Sequence, residues 1–237
     1  MTAWGIFFDS PLAFVDGVRI QNEIHKARLA DRIPDTILFL EHRPAVTLGT
    51  RGRSNYLLIT PEQLAARGIE FAQASRGGDV TYHGPGQLVM YPILKLGEQE
   101  ADSHSYLTNL EEIAIRTAAD FGVVARRRKS MSGAWADDGK IAAIGFRLKR
   151  WITMHGMSLN VSVDLEGFKT IVPCGLQGEP VSSLKKILGD RCPSMEQVRG
   201  RMARHFSDIC SRPLELFSMQ DSLPEELRGL FDSLKFS

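Results

Sequence analysis

Cysteine is scarce in this chain, which has only three, at positions 174, 192 and 210. The number is odd, and no two of them form a Cys-x-x-Cys pair. Both facts argue against a disulfide framework and against a structural zinc site. We therefore expect a reducing compartment and place the protein in the cytoplasm.

Long apolar runs are also missing, since none approaches the roughly 18 residues of a membrane span. The first residues, MTAWGIFFDSPLAF, lack the basic stretch of a secretory signal peptide. Charge is balanced, with 29 Lys and Arg against 28 Asp and Glu and a net charge of +1. This balance makes no global case for a nucleic-acid or membrane partner, and we expect neither.

Phosphate-binding loops are absent as well. The glycine-rich part of the sequence matches neither GxxxxGK[ST] nor GxGxxG, and no cluster has the spacing of a metal site. We therefore expect no bound nucleotide, no metal ion and no other cofactor.

The most informative stretch that is present runs from Arg76 to Tyr91, RGGDVTYHGPGQLVMY. It predicts two strands, 79–82 and 87–94, bracketed by glycine turns whose backbone can lie close to a ligand. His83 is expected at the rim of this site. A glycine-rich hairpin in the core, with His83 as a satisfied structural side chain, stays an equally good interpretation at this level.

The rest of the chain alternates between the two hydrophobic periods, which predicts one mixed α/β domain over residues 1–237 with strands at the centre. The other predicted strands are 4–8, 36–41, 45–48, 69–72, 123–125, 133–136, 140–148, 152–154 and 157–163. The predicted helices are 14–32, a Thr60-capped helix ending at Gly68, 105–121, 164–171, 182–188, 194–210 and 224–234.

Three kinds of side chain are candidates for chemistry. Cys174 lies between Pro173 and Gly175 on a predicted loop, where a thiol can be displayed, whereas Cys192 and Cys210 fit buried, inert thiols. Lys140 begins an apolar strand, where most lysines point to water. His83 and His155 each adjoin a glycine, so a papain-like Cys/His pair stays open.

Several segments, in this order, resemble the octanoyltransferases of lipoate biosynthesis. They are His42–Gly49 (HRPAVTLG), Arg76–Tyr91, Gly139–Gly145 (GKIAAIG), Trp151–Gly156 with Leu159–Val161, and Pro173–Gly175. The resemblance covers roughly residues 37–184, leaving a region of about 190–237 predicted to be helical. It implies the fold of biotin–protein and lipoate–protein ligases, a mixed sheet with flanking helices.

The resemblance also implies roles for individual residues. Cys174 matches the nucleophile that forms an acyl thioester, and Lys140 matches the lysine that lowers its pKa, as a base or only as a cation. Ser158 departs from the small apolar residue expected at its position. The residues matching substrate-contacting segments are Arg76, Gly77, Gly78, Asp79, Val80, Thr81, Tyr82, His83, Ala143, Ile144, Gly145, Gly156, Met157 and Ser158.

The implied partners are proteins. The donor would be octanoyl-acyl carrier protein, and the acceptors would be lipoyl domains of 2-oxoacid dehydrogenase complexes and the glycine cleavage H protein. Two basic clusters, Arg126–Lys129 and Arg147–Arg150, are candidate docking patches, although solvated surface charge explains either one equally well.

Two rival functions stay open at this level. A lipoate–protein ligase would activate free lipoate with ATP and would need no thiol. A non-catalytic lipoyl-domain or RNA-binding module would use Arg126–Lys129.

Overall fold

A computed structural model describes residues 2–52, 56–172, 179–220, 223–232 and 234. The strands in these ranges are β1 Ala3–Phe7, β2 Thr36–Leu40, β3 Ala45–Leu48, β4 Glu70–Gln73, β5 Val80–His83, β6 Gln87–Ile93, β7 Arg126–Arg128, β8 Met131–Ala136, β9 Gly139–Lys149, β10 Ile152–Asn160 and β11 Leu214–Ser218. The helices are α1 Phe14–Leu29, α2 Pro61–Ala66, α3 Ser103–Ala119, α4 Leu184–Leu188, α5 Met195–Cys210 and α6 Glu225–Asp232, and a 3-10 helix spans Leu165–Thr170.

The strands form two sheets. The larger has eight strands in the order β11-β1-β2-β6-β10-β9-β8-β7, and the smaller has three in the order β4-β3-β5. Parallel and antiparallel pairs both occur, as in β1 with β2 and β2 with β6. The mixed α/β class predicted from the sequence is confirmed.

Helices cover both faces of the large sheet, and the alternation of side chains along its central strands shows why. In β2, Ile37 and Phe39 face the core that α3 and α5 cover, whereas Leu38 and Leu40 face the core beneath α1 and α6. All five residues of β2 are buried. A strand buried on both faces reads as a continuous apolar run, which is the TILF pattern here.

Local capping signals hold at both predicted sites. Thr60 accepts from the backbone of Gln63, whose side chain bonds back to Thr60, and Ser194 and Gln197 do the same at the start of α5. The β8–β9 hairpin around the Asp137-Asp138-Gly139 turn is also present. These elements form from short-range chemistry.

The two strands predicted in Arg76–Tyr91 are present as β5 and β6, but the alternative interpretation of this stretch as a hairpin is wrong. Strand β5 pairs with β3 in the small sheet, whereas β6 lies between β2 and β10 in the large sheet. The turn before β6 hands the chain from one sheet to the other. Pairing with strands that are distant along the chain decided this, since β5 adjoins β3 and β6 adjoins β2 and β10.

The expected break at His155-Gly156 is also absent. Strand β10 runs without interruption through both residues, and His155 adopts a φ of 56° within it. Its partner register on β9 continues through this point, with His155 opposite Phe146. The glycine marks a close approach, since a Cβ on Gly156 would lie 2.4 Å from Met90 O.

Two further strands differ from the prediction. The strand expected at 123–125 lies instead at β7, so Arg126–Arg128 form a sheet edge rather than a turn. The C-terminal region is not purely helical, because β11 pairs in parallel with β1. Strand β11 (LELFS) is half exposed at the edge of the sheet. Its apolar residues therefore do not form the clear pattern that predicts a buried strand.

Candidate active site

A cavity of about 470 Å³ lies between the two sheets. Thirteen of the sixteen predicted site residues line it: Arg76, Gly78, Asp79, Val80, Thr81, His83, Lys140, Ala143, Ile144, Gly145, Gly156, Met157 and Ser158. Its volume falls in the range of small-molecule sites, roughly 300–1,000 Å³. Three sequence segments that are distant along the chain therefore meet at one place.

The remaining three predicted residues do not line this cavity. Gly77 lines a second cavity of about 720 Å³ that adjoins the first. Tyr82 points to the other face of β5, where its ring packs against Phe168 with centroids 5.3 Å apart. Cys174 lies outside the described residues.

Beside the cavity, the backbone of the glycine-rich loop closely approaches the backbone of β9. Gly77 N donates to Phe146 O at 2.8 Å, which brings the glycine-rich loop against β9. A Cβ on Gly145 would lie 2.8 Å from Gly77 O, so a side chain there would push the loop away. On the neighbouring strand, Gly156 pairs with Gly145.

Arg76 anchors that loop from below. Its guanidinium is buried and donates to Thr47 O and to Thr47 Oγ1, each at 2.8 Å, and to Gly77 O at 3.1 Å. Bonds to charged donors are the stronger class of hydrogen bond. The loop is thus tied to β3 by a cation that stays inside the protein.

Lys140 is buried, with 7% of its surface exposed, rather than pointing to water. Its Nζ lies 5.3 Å from the centroid of the Trp135 ring. A Cβ on Gly133 would come within 2.6 Å of Lys140 Cε, so the glycine makes room for the lysine side chain. Nothing in the local sequence pattern could show this, because the space is made by β8.

The described residues on either side of 173–178 both meet the cavity wall. Val172 N donates to Tyr56 O at 2.8 Å, and Tyr56 lines the cavity. On the other side, Lys140 N donates to Pro180 O and Ser182 N donates to Lys140 O, each at 2.9 Å. The chain enters the segment that carries Cys174 beside Tyr56 and leaves it beside Lys140.

The other two thiols are poor nucleophiles. Burial raises the pKa of the Cys192 thiol, and burial raises that of Cys210 to about 12. The thiolate is the reactive form of cysteine. Neither residue lines the cavity.

His83 was expected at the rim but is buried, with its ring stacked on Phe14 at 5.9 Å. Burial holds the pKa of His83 well below its usual value, and burial lowers that of His42 to about 4 and that of His155 to about 3. All three imidazoles are therefore neutral at pH 7. His155 does not line the cavity, and its Nε2 lies 3.2 Å from Ser75 Oγ.

Six further residues line the cavity without having been predicted from the sequence: Arg51, Tyr56, Tyr91, Ser130, Met131 and Ser132. Tyr91 carried a usable signal, because a tyrosine hydroxyl in an otherwise apolar buried strand needs a polar partner. Ser130–Ser132 carried no such signal, since Ser130 lies in the β7–β8 turn with a φ of 64° and the next two residues begin β8.

No group of three or more His, Cys, Asp and Glu side chains in the described ranges could hold a metal ion. Within the same ranges, no helix is long and apolar enough to cross a membrane.

The model of the lipoyl protein ligase A/B catalytic domain matches residues 15–207, which defines the class of this protein. A crystal structure of lipoate-protein ligase A bound with ATP superposes with a TM-score of 0.78 at 16% identity, covering 98% of this chain and 95% of that one. A putative lipoate protein ligase from T. acidophilum with bound lipoic acid gives 0.75 at 17% identity, covering 97% and 93%. At such identities the likeness concerns the fold, and it confirms the predicted lipoate–protein ligase architecture.

Closer relatives narrow the class. The octanoyltransferase of Geobacter metallireducens is 42% identical over 213 residues, which is 90% of this chain and 96% of that protein. The octanoyltransferase of Caldicellulosiruptor saccharolyticus is 40% identical over 210 residues, 88% and 89% of the two chains. That of Chloroflexus aggregans reaches 44% over 84% of this chain and 91% of its own. The chain therefore belongs to the octanoyltransferase family and is a transferase.

Proposed function

We propose that this enzyme moves an octanoyl group from octanoyl-acyl carrier protein through a thioester on Cys174 to a lysine of lipoyl domains. The observation that carries the proposal is the convergence on one cavity of buried Lys140 and both flanks of the segment holding Cys174. The relatives are octanoyltransferases, which supports octanoyl as the acyl group. The roles of Cys174 and Lys140 rest on the sequence resemblance.

In the first half-reaction, the Cys174 thiolate attacks the carbonyl carbon of the donor thioester. A new C–S bond forms at Cys174, the donor's C–S bond breaks, and the carrier's thiol leaves with one proton. A lysine nearby promotes the thiolate either as a base or as a cation. One thioester replaces another, so the step is close to neutral in free energy.

In the second half-reaction, the ε-amine of the acceptor lysine attacks the Cys174 thioester. An amide C–N bond forms, the C–S bond breaks, and the thiolate is released. The amine gives up a proton, which Lys140 is proposed to accept. A thioester becomes an amide, so this step is downhill and needs no nucleotide.

The cavity wall suits an alkyl chain beside a polar reacting end. Ala143, Ile144 and Met157 supply apolar surface, while Arg76, Thr81 and Lys140 supply polar groups. Small-molecule sites commonly combine a mainly apolar lining with a few placed polar groups. We propose that the octanoyl chain lies along these apolar residues.

A multiple-turnover assay with octanoyl-acyl carrier protein and a lipoyl domain tests the proposal. Octanoylated lipoyl domain should form without ATP, and removal of nucleotide or addition of EDTA should leave the rate unchanged. Product that forms only from free lipoate or octanoate with ATP would make the enzyme a ligase. If no product forms under either condition, the protein would be a non-catalytic binding module.

A further inference from the structure

Helix α3 carries a buried carboxylate. Glu111 is 6% exposed, and on the same helix the nearby Leu110 and Ile113 belong to the core against the large sheet. Burying a carboxylate costs free energy unless its oxygens are hydrogen-bonded. Both oxygens of Glu111 are bonded, because Oε1 accepts from Gly133 N at 2.9 Å and Oε2 accepts from Arg127 Nε at 3.0 Å.

The bond to Gly133 holds an unusual backbone conformation. Gly133 lies within β8 and has a φ of 121°, which residues with a side chain rarely adopt. Such conformations persist only where the surrounding structure enforces them. The register also shifts beside Gly133, since Ala134 lies opposite Ala142 but Trp135 lies opposite Lys140. Strand β9 thus has one more residue than β8 here, and such bulges re-aim neighbouring side chains.

Gly133 faces the end of the Lys140 side chain. A Cβ on Gly133 would lie 2.6 Å from Lys140 Cε and 3.4 Å from Lys140 Nζ. The backbone of Gly133 is therefore one wall of the space that holds the lysine amine. The ring of Trp135 is a second wall, with its centroid 5.3 Å from Nζ.

The backbone of Lys140 is fixed separately from its side chain. It is held by the two 2.9 Å bonds with Pro180 O and Ser182 N. The direction of the long side chain has far more freedom, because lysine has many rotamers. A shift of Gly133 would therefore move the amine, which lines the cavity, rather than the strand that carries it.

We propose that Glu111 is a positioning residue for Lys140. By accepting from Gly133 N, its carboxylate holds the backbone that sets where Lys140 Nζ lies in the cavity. The use that the reaction makes of this amine rests on the proposed function, whereas the placement of the amine is a separate structural claim.

The competing explanation is an ion pair that only joins α3 to β7. Arg127 also donates to Thr108 O at 2.9 Å and to Glu112 Oε2 at 2.8 Å, so other contacts link the same two elements. On that explanation, loss of Glu111 would affect stability and leave the lysine amine in place. An apolar residue can often replace a member of a buried ion-pair network at little cost once its partner is satisfied elsewhere. It cannot accept from Gly133 N.

Three variants of the full-length enzyme separate the two explanations. Glu111→Leu keeps a similar volume but offers no acceptor. Glu111→Gln keeps the reach and one acceptor oxygen, which should face the buried Gly133 N because Arg127 retains Thr108 and Glu112. Glu112→Leu is the matched control, since it removes a neighbouring carboxylate from the same Arg127 and leaves the bond to Gly133 intact.

Crystal structures of the parent and the variants measure the placement directly. In Glu111→Leu, Gly133 should leave its φ near 121° and Lys140 Nζ should move by about 1 Å or more, a shift large enough to slow a reaction. In Glu111→Gln and Glu112→Leu, both should stay as they are in the parent. A Lys140 Nζ that has not moved in Glu111→Leu would overturn the assignment.

Steady-state kinetics measure the consequence. In Glu111→Leu, kcat for octanoyl transfer to a lipoyl domain should fall by about 10- to 100-fold, with KM for octanoyl-acyl carrier protein unchanged. Glu111→Gln and Glu112→Leu should stay within about threefold of the parent. If either of them loses as much kcat as Glu111→Leu, the effect belongs to the ion pair and the assignment is wrong.

Glu111→Gln decides the question even if Glu111→Leu does not fold. A parent-like amine position and kcat in this variant support the acceptor role, whereas a displaced amine or a kcat lowered by tenfold or more overturns it.

Failure of this assignment is distinct from failure of the proposed function. A parent that transfers no octanoyl group would overturn the proposed function, while the crystal structures would still decide where the amine is held. A displaced Lys140 amine with parent-like kcat would overturn the positioning role and leave octanoyl transfer standing.

Discussion

Two buried regions of this molecule differ in what fills them. The core between the large sheet and α3 and α5 consists mainly of apolar side chains, with Phe39, Leu110 and Phe206 fully buried. The wall between the two sheets is also buried, yet it holds Arg76, His83, Lys140 and other polar side chains. The first region stabilises the fold by burying apolar area. The second holds desolvated polar groups, whose burial costs free energy unless they find partners.

The largest expected effect is on turnover, from Lys140→Arg. Arginine keeps the charge but cannot be deprotonated in a protein. If Lys140 is the base, kcat should fall by about 10²- to 10⁴-fold, while binding of the acyl carrier protein stays unchanged. Steady-state rates and donor binding check this, with exposed Lys186→Arg as the control. Parent-like turnover would reduce the lysine to an electrostatic role.

Leu110→Ala tests the other side of the comparison. Truncating this fully buried residue should lower the free energy of unfolding by about 2–5 kcal/mol. Turnover of the folded fraction should not change, because Leu110 lines no part of the cavity. Urea denaturation measures the loss, and exposed Val124→Ala should stay within about 0.5 kcal/mol of the parent. If Leu110→Ala lowered kcat without lowering the free energy of unfolding, the distinction between a stabilising core and a functional cavity wall would be contradicted.

Acid should destabilise the fold through the buried histidines. Burial lowers the pKa of His42 from 6.5 to about 4, so between these values the unfolded state binds more protons and stability falls as pH falls. The shift corresponds to about 3 kcal/mol lost by pH 4 and none above pH 6.5. Unfolding free energies measured from pH 7 to 4 should drop less in His42→Gln than in the parent. Exposed His104→Gln should keep the parent's slope, and equal slopes in all three proteins would refute the prediction.

The smallest expected effect concerns docking. Arg126, Arg127 and Arg128 form ion pairs with Asp137, with Glu111 and Glu112, and with Glu179. Lys149 and Arg150 are exposed, and the described residues form no ion pair with them. Reversing the charges of Lys149 and Arg150 should therefore raise KM for a protein substrate by a few fold, with little change in kcat. Reversing Arg126–Arg128 should raise KM less.

A small octanoyl thioester serves as the control, because its reaction should not respond to either reversal. Rates on protein substrates that are flat from low to high salt and insensitive to both reversals would end the docking hypothesis.

The two regions also differ in how far the sequence predicts them. The TILF run of β2, the two capping boxes and the Asp-Asp-Gly turn are short-range signals, and each appears where expected. Pairing between distant strands is a long-range property, so the separation of β5 from β6 and the edge strand β11 were missed. Local sequence patterns therefore predict where helices and strands form better than they predict which strands pair.

The residues of the cavity wall are harder to predict, because their polar side chains recur with neither the helical nor the strand period. Arg76–His83, Ala143–Gly145 and Gly156–Ser158 were expected together only through resemblance to a family. Ser130–Ser132 belong to the same wall but lie in no segment of the resemblance, and Tyr91, the last residue of the Arg76–Tyr91 segment, was assigned no role. The burial of Lys140 depends on space left by Gly133, which no property of the Lys140 segment reveals.

The most direct test of the central claim is the intact mass of the enzyme after incubation with octanoyl-acyl carrier protein alone. The parent should gain one octanoyl group, which hydroxylamine removes and which peptide mapping places on Cys174. Cys174→Ala should gain none and transfer none while remaining folded, whereas Cys192→Ala should behave like the parent. An unmodified parent, an octanoyl group on another residue, or transfer by Cys174→Ala would contradict the account.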